Sequence, residues 1–261
     1  MDEKTEQDKD LKQFAMDLAR EAGRFVMENY GKIKTEEKKR DNSFVTNVDK
    51  ETEKLIVSRI REAYPDHAII AEEGDNKDAD SEYKWIIDPI DGTRNFIHEI
   101  PLFSVSIGLV RDDKPFIGAV YFPATDELFH AEKGKGAFLN DKGISVSGKW
   151  MDEAFISYGA NLQKGTEWHM KVLPKLISDS SRVRVLGCAT INMCSIAAGR
   201  ADAYIARYGK VWDFAASLII VEEAGGKVTG LDGKPYTLET EDFIASNGRF
   251  HDELVRIASD D

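Results

Sequence analysis

Two aspartates lie close together at the end of an apolar run in the segment KWIIDPIDGTRNF, residues 84–96. The apolar residues 85–87 predict a short buried strand that delivers Asp88 and Asp91 onto a tight turn. Pro89 has no N–H and a fixed φ, so we expect it to end the strand and to stiffen the turn. Paired carboxylates can hold a divalent cation, which can in turn bind an anion. The alternative is an acidic turn whose side chains only cap a helix.

The residues that follow the two aspartates predict an anion site next to them. Gly92 lets the backbone approach a ligand closely, and Thr93 and Asn95 are residue types that commonly begin helices. The N–H groups of residues 92–94 would then point outward from a helix N-terminus, which is a favourable position for a phosphate group. A metal ion beside a phosphate is therefore the chemistry that this turn indicates.

Further acidic residues stand at the ends of other predicted elements. A buried strand, AIIA at 68–71, leads directly into Glu72 and Glu73, and Asp213 follows Trp212 at the start of an apolar helix. Asp213 would either cap that helix or project into a site. Carboxylates suit Mg²⁺, and two such ions ~3.5–4 Å apart can activate a water and stabilise a leaving oxygen. The two cysteines and five histidines show no spacing typical of a softer metal.

The elements that must position these acids differ between the two halves of the chain. In the first half, amphipathic helices are predicted from residue 11 and from residue 46, after a frayed or mobile helix start at 1–10. A lysine-rich loop or loose hairpin separates them, and an antiparallel meander follows up to residue 147. From residue 152 strands and helices alternate, which predicts a second α/β layer. We therefore expect an α/β fold with an α+β metal-binding half, 1–150, and an α/β half, 151–261, that completes the active site.

Composition limits the classes of partner. The 261 residues are 42% hydrophobic, which suits one large domain or two intimately packed halves. The net charge of −12 disfavours binding to a nucleic acid polymer or an anionic membrane. The charged N-terminus shows no secretory signal, and no apolar run approaches the ~18–20 residues of a membrane span. A cytoplasmic location is the expectation.

Taken together, the motifs resemble the inositol monophosphatase superfamily. WIIDPIDGTRNF is preceded by FVTNVDKETE and IIAEEG, and it is followed by GKGAFLNDKGISVS, NMCSIAAGRADAYI and VWDFAASLIIVEEAGG. The resemblance spans roughly residues 11–258, nearly the whole chain. It implies a layered αβαβα sandwich of the inositol monophosphatase/fructose bisphosphatase type, usually a homodimer. It also implies a requirement for two or three Mg²⁺ ions and inhibition by Li⁺.

The resemblance assigns roles to single residues. Gly92 and Thr93 would supply N–H groups to the phosphate, and the Thr93 hydroxyl would orient the attacking water with the support of Asp49. Lys38 corresponds to a lysine on a mobile loop near an additional metal and water site. Glu72 and Asp91 would take part in catalysis as well as in metal binding. The implied metal ligands are Glu72, Asp88, the backbone carbonyl of Ile90, Asp91 and Asp213.

Departures from the family pattern bear on the substrate. The segment 187–189 reads Gly-Cys-Ala where the animal enzymes have Gly-Thr-Ala, and Ala206 stands where they have a glutamate that binds inositol hydroxyls. Losing that acid beside Arg207 and Lys210 predicts a second anionic group on the substrate, although solvated surface charge is the alternative. A microbial bifunctional fructose-1,6-bisphosphatase/inositol monophosphatase is therefore favoured. The predicted substrate-binding residues are Gly92, Thr93, Gly187, Cys188, Ala189, Arg207 and Lys210, with Cys188 a buried small residue and not a nucleophile.

Other functions remain open at this point. Haloacid-dehalogenase phosphatases use D-x-D-G-T with the first aspartate as nucleophile, but here the residue two before Asp91 is Pro89, so direct attack by water is preferred. A 3′-phosphoadenosine 5′-phosphate or NADP(H) phosphatase on the same fold is the second candidate, because the basic pair at 207 and 210 suits a nucleotide's second phosphate equally. A non-catalytic protein that senses a metal or phosphate is the third candidate.

Overall fold

A computed structural model describes residues 3–33, 36–39 and 44–259, with side chains of the first helix described from residue 10 onward. The expectations for residues 1–2, and for 34–35 and 40–43 within the lysine-rich segment, lie outside the described residues. The strands β1 (Glu36–Lys38) and β2 (Phe44–Thr46) pair antiparallel, which confirms the predicted hairpin for the part that is described.

Two long helices precede the first sheet. Helix α1 (Glu3–Glu28) buries an apolar stripe at every third or fourth residue, as its sequence periodicity predicts. Helix α2 (Asn47–Ala63) begins at a capping box, in which Thr46 accepts from the N–H groups of Val48 and Asp49 while Asp49 accepts from the Thr46 N–H. The capping residues at the start of α2 were predicted, and the box also fixes the carboxylate of Asp49 in place.

The first sheet has seven strands whose spatial order is their chain order. Only β3 and β4 run parallel, and the remaining neighbours are antiparallel, which confirms the predicted meander. The short helix α3 (Thr93–Ile97) follows β4 directly. The strands are β3 (Ala68–Ala71), β4 (Tyr83–Asp91), β5 (Ser104–Arg111), β6 (Lys114–Phe122), β7 (Glu127–Glu132), β8 (Ala137–Leu139) and β9 (Lys142–Ile144).

Strand β4 does not end before Pro89, so the predicted end of this strand was wrong. Its parallel partner β3 stops at Ala71 opposite Ile87, so the missing N–H of Pro89 falls beyond that ladder. On the other side the register against β5 shifts between Asp88 and Asp91, which is the irregularity a β-bulge produces. The bulge changes the direction of the end of β4, which carries both aspartates.

The second sheet has five strands in the order β11-β10-β12-β14-β13. Its alternation with helices was predicted, except for β13, which follows Gly225 and Gly226 and whose sequence KVTG is too mixed in character to give a strand pattern. The strands are β10 (Phe155–Tyr158), β11 (Arg182–Arg184), β12 (Ala203–Ala206), β13 (Lys227–Gly230) and β14 (Phe243–Ser246). The helices are α4 (Thr166–Asp179), α5 (Ala189–Ala197), α6 (Val211–Glu223) and α7 (His251–Ser259).

Five layers result from the packing of these elements. Helices α1 and α2 cover one face of the seven-stranded sheet, and α5 and α6 fill the space between the two sheets. Helices α4 and α7 cover the outer face of the five-stranded sheet. The αβαβα sandwich is therefore confirmed. The boundary near residue 150 stays a prediction, and α6 from the second half packs directly on β4, β5 and β6 of the first.

Candidate active site

Four carboxylates lie together where β3, β4 and α6 meet. Asp88 is 2% exposed and Asp91 8% exposed. Burial raises the pKa of Asp88 well above its usual value, and the nearby charges of Glu72, Asp91 and Asp213 raise it further. Burial and the charge of Asp91 likewise raise the pKa of Asp213. The four acids thus form one group of mutually repelling charges, although they come from three separate segments of the chain.

The N-terminus of α5 holds Asp91. The carboxylate accepts from the backbone N–H groups of Ala189 at 3.1 Å and Thr190 at 2.6 Å, and from the Thr190 hydroxyl at 2.6 Å. The Cys188 thiol lies 3.1 Å from the same carboxylate. Burial raises the pKa of Asp91, and these donors oppose the increase. The predicted substrate segment 187–189 is therefore anchored to a predicted metal ligand. The role of Thr190 could not be predicted from the sequence, because it arises only from the contact between α5 and β4.

Cys188 itself is 2% exposed. Burial raises the pKa of its thiol, and the Asp91 charge beside it acts in the same direction. A neutral buried thiol is a poor nucleophile, in agreement with the prediction that it serves as a small packing residue.

The turn after β4 joins Thr93 to Asp49. The Thr93 Oγ1 atom lies 3.1 Å from Asp49 Oδ1 and 3.0 Å from the carbonyl oxygen of Ile90. One oxygen of Asp88 accepts from the Ile90 N–H at 3.0 Å, which fixes the peptide between the two aspartates. Asp49 is fully buried, and burial raises its pKa while hydrogen bonds from Thr46 and Thr93 oppose the increase.

Gly92 begins α3 with a left-handed backbone, at φ 91°. A Cβ atom here would lie 2.8 Å from the Leu102 carbonyl oxygen, so both the conformation and the space require glycine. Asn95 lies inside the helix and not at its start. Its side-chain amide donates to the carbonyls of Leu102 at 2.8 Å and Leu186 at 2.9 Å, and so it holds the turn against the segment that precedes α5.

Asp213 caps the helix that carries it. Its Oδ2 atom accepts from the backbone N–H of Lys210 at 2.8 Å, while its charge contributes to the acidic group. Two roles were considered for Asp213, a helix cap and a site residue. The cap is observed directly, and the charge of the side chain also raises the pKa of Asp88.

Lys39 contacts the site, whereas the predicted Lys38 is exposed on β1. The Lys39 ammonium lies 2.9 Å from Glu72 and 2.6 Å from Glu73. Burial lowers the pKa of Lys39, but the two carboxylates outweigh this effect and raise it overall. Burial raises the pKa of Glu73 to about 7. Neighbouring residues in an extended segment point to opposite sides, so a Lys-Lys pair was a signal that one of them faces inward.

The carboxylate group fits a hard divalent cation by its donor chemistry. It offers several oxygen atoms in a buried place where like charges repel, and such a place favours a bound cation. Across the described ranges, no three His, Cys, Asp or Glu side chains are arranged around a common point at ligand distances. Internal donors explain this arrangement: Lys39 holds Glu72, the N-terminus of α5 holds Asp91, and Lys210 holds Asp213. Carboxylate side chains turn easily when a cation arrives, so these internal contacts are compatible with a metal site.

The predicted anion-binding cations are both paired with acids. Arg207 Nε lies 2.9 Å from Asp242, and its guanidinium lies 4.7 Å from the centre of the Trp168 ring and 4.8 Å from that of Tyr208. The Lys210 ammonium lies 2.6 Å from Glu241. Their role in binding a second anionic group stays a prediction. The acids at 241–242 were not foreseen, because they follow a loop whose position depends on the second sheet.

Within the described part of the chain, no helix combines the length and the apolar character needed to cross a membrane.

Comparison with known proteins agrees with this geometry. A fructose-1,6-bisphosphatase/inositol-1-monophosphatase of Thermotoga maritima is 39% identical over 249 residues, which are 95% of each chain. A Vibrio cholerae protein named Nus factor SuhB is 40% identical over 242 residues, 90% of each chain. The solved structure of an IMPase from Thermotoga maritima superposes with a TM-score of 0.89 at 38% identity, covering 95% of this chain and 96% of that one. The profile of the inositol monophosphatase family matches residues 7–260, and the chain belongs to this family.

Proposed function

We propose that the protein is a Mg²⁺-dependent phosphomonoester hydrolase that acts on small sugar or polyol phosphates, namely inositol monophosphate and fructose 1,6-bisphosphate. The observation that carries the proposal is the group of four acids beside the Thr93–Asp49 pair. Membership of a family with phosphatase relatives supports it independently. The family resemblance implies the same four acids and Thr93.

In the proposed mechanism, Glu72, Asp88, Asp91, Asp213 and the Ile90 carbonyl would hold the metal. When bound, Mg²⁺ would supply positive charge that activates a water and stabilises the leaving oxygen. The N–H groups at the start of α3 would bind and orient the phosphate. A water placed against Thr93 Oγ1 would be oriented by that hydroxyl, and Asp49 Oδ1 at 3.1 Å would accept the hydroxyl proton.

Direct attack by water is favoured over a covalent aspartyl intermediate. Asp88 is fixed by the Ile90 N–H and surrounded by other carboxylates, so its charge is directed toward a cation. The position two before Asp91 is Pro89, which has no nucleophilic group. No other side chain of the motif takes the place of the nucleophile that the D-x-D-G-T enzymes need.

Phosphate release from inositol 1-phosphate, fructose 1,6-bisphosphate and 3′-phosphoadenosine 5′-phosphate would test the substrate class. We expect higher kcat/KM for the first two. A preference for the nucleotide would change the proposed substrate but not the proposed chemistry. Ala206→Glu should shift preference toward inositol monophosphate, because it restores an acid where the animal enzymes bind hydroxyls. Ala206→Gln, which adds similar volume without charge, is the control. An unchanged ratio in Ala206→Glu would refute the specificity argument.

A binding role without catalysis is the alternative to an enzyme, because a relative of similar identity is named a Nus factor. Failure to release phosphate from all three substrates would favour it over the enzyme. The proposal also includes a homodimer and inhibition by Li⁺, which the family resemblance implies, and a cytoplasmic location, which the composition of the sequence predicts. Analytical ultracentrifugation would measure the oligomeric state, and titration of Li⁺ during phosphate release would measure the inhibition.

A further inference from the structure

An ammonium group of the chain itself binds one of the carboxylates assigned to the metal. Lys39 Nζ lies 2.9 Å from Glu72 Oε1 and 2.6 Å from Glu73 Oε1, close enough for a hydrogen bond to each. The Lys39 side chain is 23% exposed, and those of Glu72 and Glu73 are 16% and 8% exposed. A pair this shielded from water interacts more strongly than a surface ion pair.

The carboxylate side of this contact is fixed by the fold. Glu53 is 1% exposed, and its two oxygens accept from the N–H groups of Glu73 at 2.7 Å and Asp75 at 3.0 Å. These bonds tie the turn after β3 to helix α2. Glu72 and Glu73 therefore have little freedom to move as backbone, and only their side chains can turn.

The lysine side of the contact is held more weakly. Lys39 follows β1, a strand of three exposed residues. This strand pairs with β2. Strand β2 is anchored through Phe44, whose ring lies under the Arg94 guanidinium at 5.0 Å, and through Thr46, which caps α2. Lys39 therefore lies at the end of an exposed strand, whereas Asp49 lies in the first turn of α2, beyond the anchored end of β2.

We propose that Lys39 is a tethered counter-cation of the metal site, which occupies Glu72 until a divalent cation displaces it. The proposal rests on the proposed function, since it takes Glu72 to be a metal ligand. An ammonium group and a divalent ion on the same carboxylate repel each other strongly in so shielded a place. Binding of the metal therefore requires Lys39 to leave Glu72. The Lys39 ammonium then keeps its contact with Glu73 or turns to solvent.

Binding of Mg²⁺ to the metal-stripped full-length protein, measured by calorimetry without substrate, tests this competition. Lys39→Met removes the charge at similar side-chain length, and Lys142→Met makes the same change of net charge at an exposed residue of β9, outside the site. We expect Lys39→Met to bind Mg²⁺ about tenfold tighter than the wild type, and Lys142→Met to stay within about twofold, because exposed charges are screened. Lys39→Arg, which keeps the charge, should bind like the wild type.

The outcomes separate this inference from the proposed function. If all the proteins bind Mg²⁺ equally, or if Lys39→Met binds it more weakly, the metal site stands and the counter-cation is refuted. If none of them binds Mg²⁺, both proposals fall. Amide exchange gives a second readout: Mg²⁺ should accelerate exchange at residues 36–39 in the wild type and leave it unchanged in Lys39→Met. A hairpin that responds equally in both proteins would also overturn the inference.

Discussion

Each carboxylate of the site is held by a donor from a different part of the chain, and this determines which substitutions separate charge from structure. Asp213 accepts from a single backbone N–H, that of Lys210, so an asparagine can keep the cap through its amide oxygen. Asp91 accepts from three residues in a row at the start of α5, so the same substitution there would disturb more than charge. Asp213 is therefore the better probe.

Asp213→Asn should lower kcat by about 10²-fold or more, since one charge that holds the metal at the transition state is lost. The free energy of unfolding of the metal-free protein should stay the same or increase, because a buried repelling charge is removed while the helix cap remains. Steady-state phosphate release and urea unfolding measure the two effects. Asp252→Asn, an exposed carboxylate in the first turn of α7, is the control for net charge. Near-full activity of Asp213→Asn would contradict the ligand assignment.

A buried histidine makes the stability of the protein depend on pH. His251 is 1% exposed, and its ring nitrogens lie 2.8 Å from the hydroxyls of Ser246 and Thr229. Because Thr229 donates its proton to the Gly230 carbonyl, Nε2 of His251 must donate to Thr229, and Nδ1 accepts from Ser246. The neutral ring fits this network, and a second ring proton would have to face the Ser246 hydroxyl.

Burial, with a smaller effect of Lys227, lowers the pKa of His251 to about 4 from its ordinary value of 6.5. The unfolded chain therefore binds this proton at higher pH than the folded protein, so the stabilisation is complete above pH ~6.5 and is lost as the pH falls toward ~4. Between pH 7.5 and pH 5, wild type should lose ~2 kcal/mol more unfolding free energy than His251→Gln. Urea unfolding at the two values measures this difference, and equal losses would show that His251 does not titrate in this range.

At the scale of elements, the site depends on how closely α6 approaches the seven-stranded sheet. A Cβ atom at Gly118 on β6 would lie 2.1 Å from the Ala216 carbonyl oxygen of α6, which is backbone and cannot turn aside. The absence of a side chain at this position lets the helix lie on the strands and brings its first turn, with Asp213, beside the end of β4.

Gly118→Ala should therefore lower the free energy of unfolding by ~3 kcal/mol or more and weaken Mg²⁺ binding, because α6 must move outward. Gly143→Ala is the matched control, since a Cβ atom there has no heavy atom within 4 Å. Denaturant unfolding and calorimetric Mg²⁺ titration measure the two effects. Equal stability of the two variants would mean that the close approach of α6 is not needed.

Most elements could be predicted from local patterns. The apolar stripe of α1, the capping residues Thr46 and Asp49, and the alternation along β5 each produce a period that the sequence displays. The continuation of β4 through Pro89 could not, because it depends on where the neighbouring strand β3 ends. Strand β13, KVTG, has a single strongly apolar residue and therefore shows no strand pattern, and it pairs along its whole length with β14.

At the scale of the whole molecule, the four acids come together only through the stacking of layers. The acidic motifs were visible one by one in the sequence, and the resemblance to a family related them to each other. The contacts that hold them were not visible, since Lys39, Thr190 and Glu53 reach the site from other elements. Neighbours of this kind are set by tertiary packing, which a single sequence does not display.

The measurement that tests the central claim most directly is the rate of phosphate release from inositol 1-phosphate while Mg²⁺ is added to metal-stripped protein. We predict negligible release without Mg²⁺, a saturable increase on its addition, and a loss of about 10²-fold or more in Asp213→Asn at the same Mg²⁺ concentration. The wild type should lose its activity again when a chelator is added. Equal release with and without the metal, or an Asp213→Asn variant as active as the wild type, would contradict the account of this site.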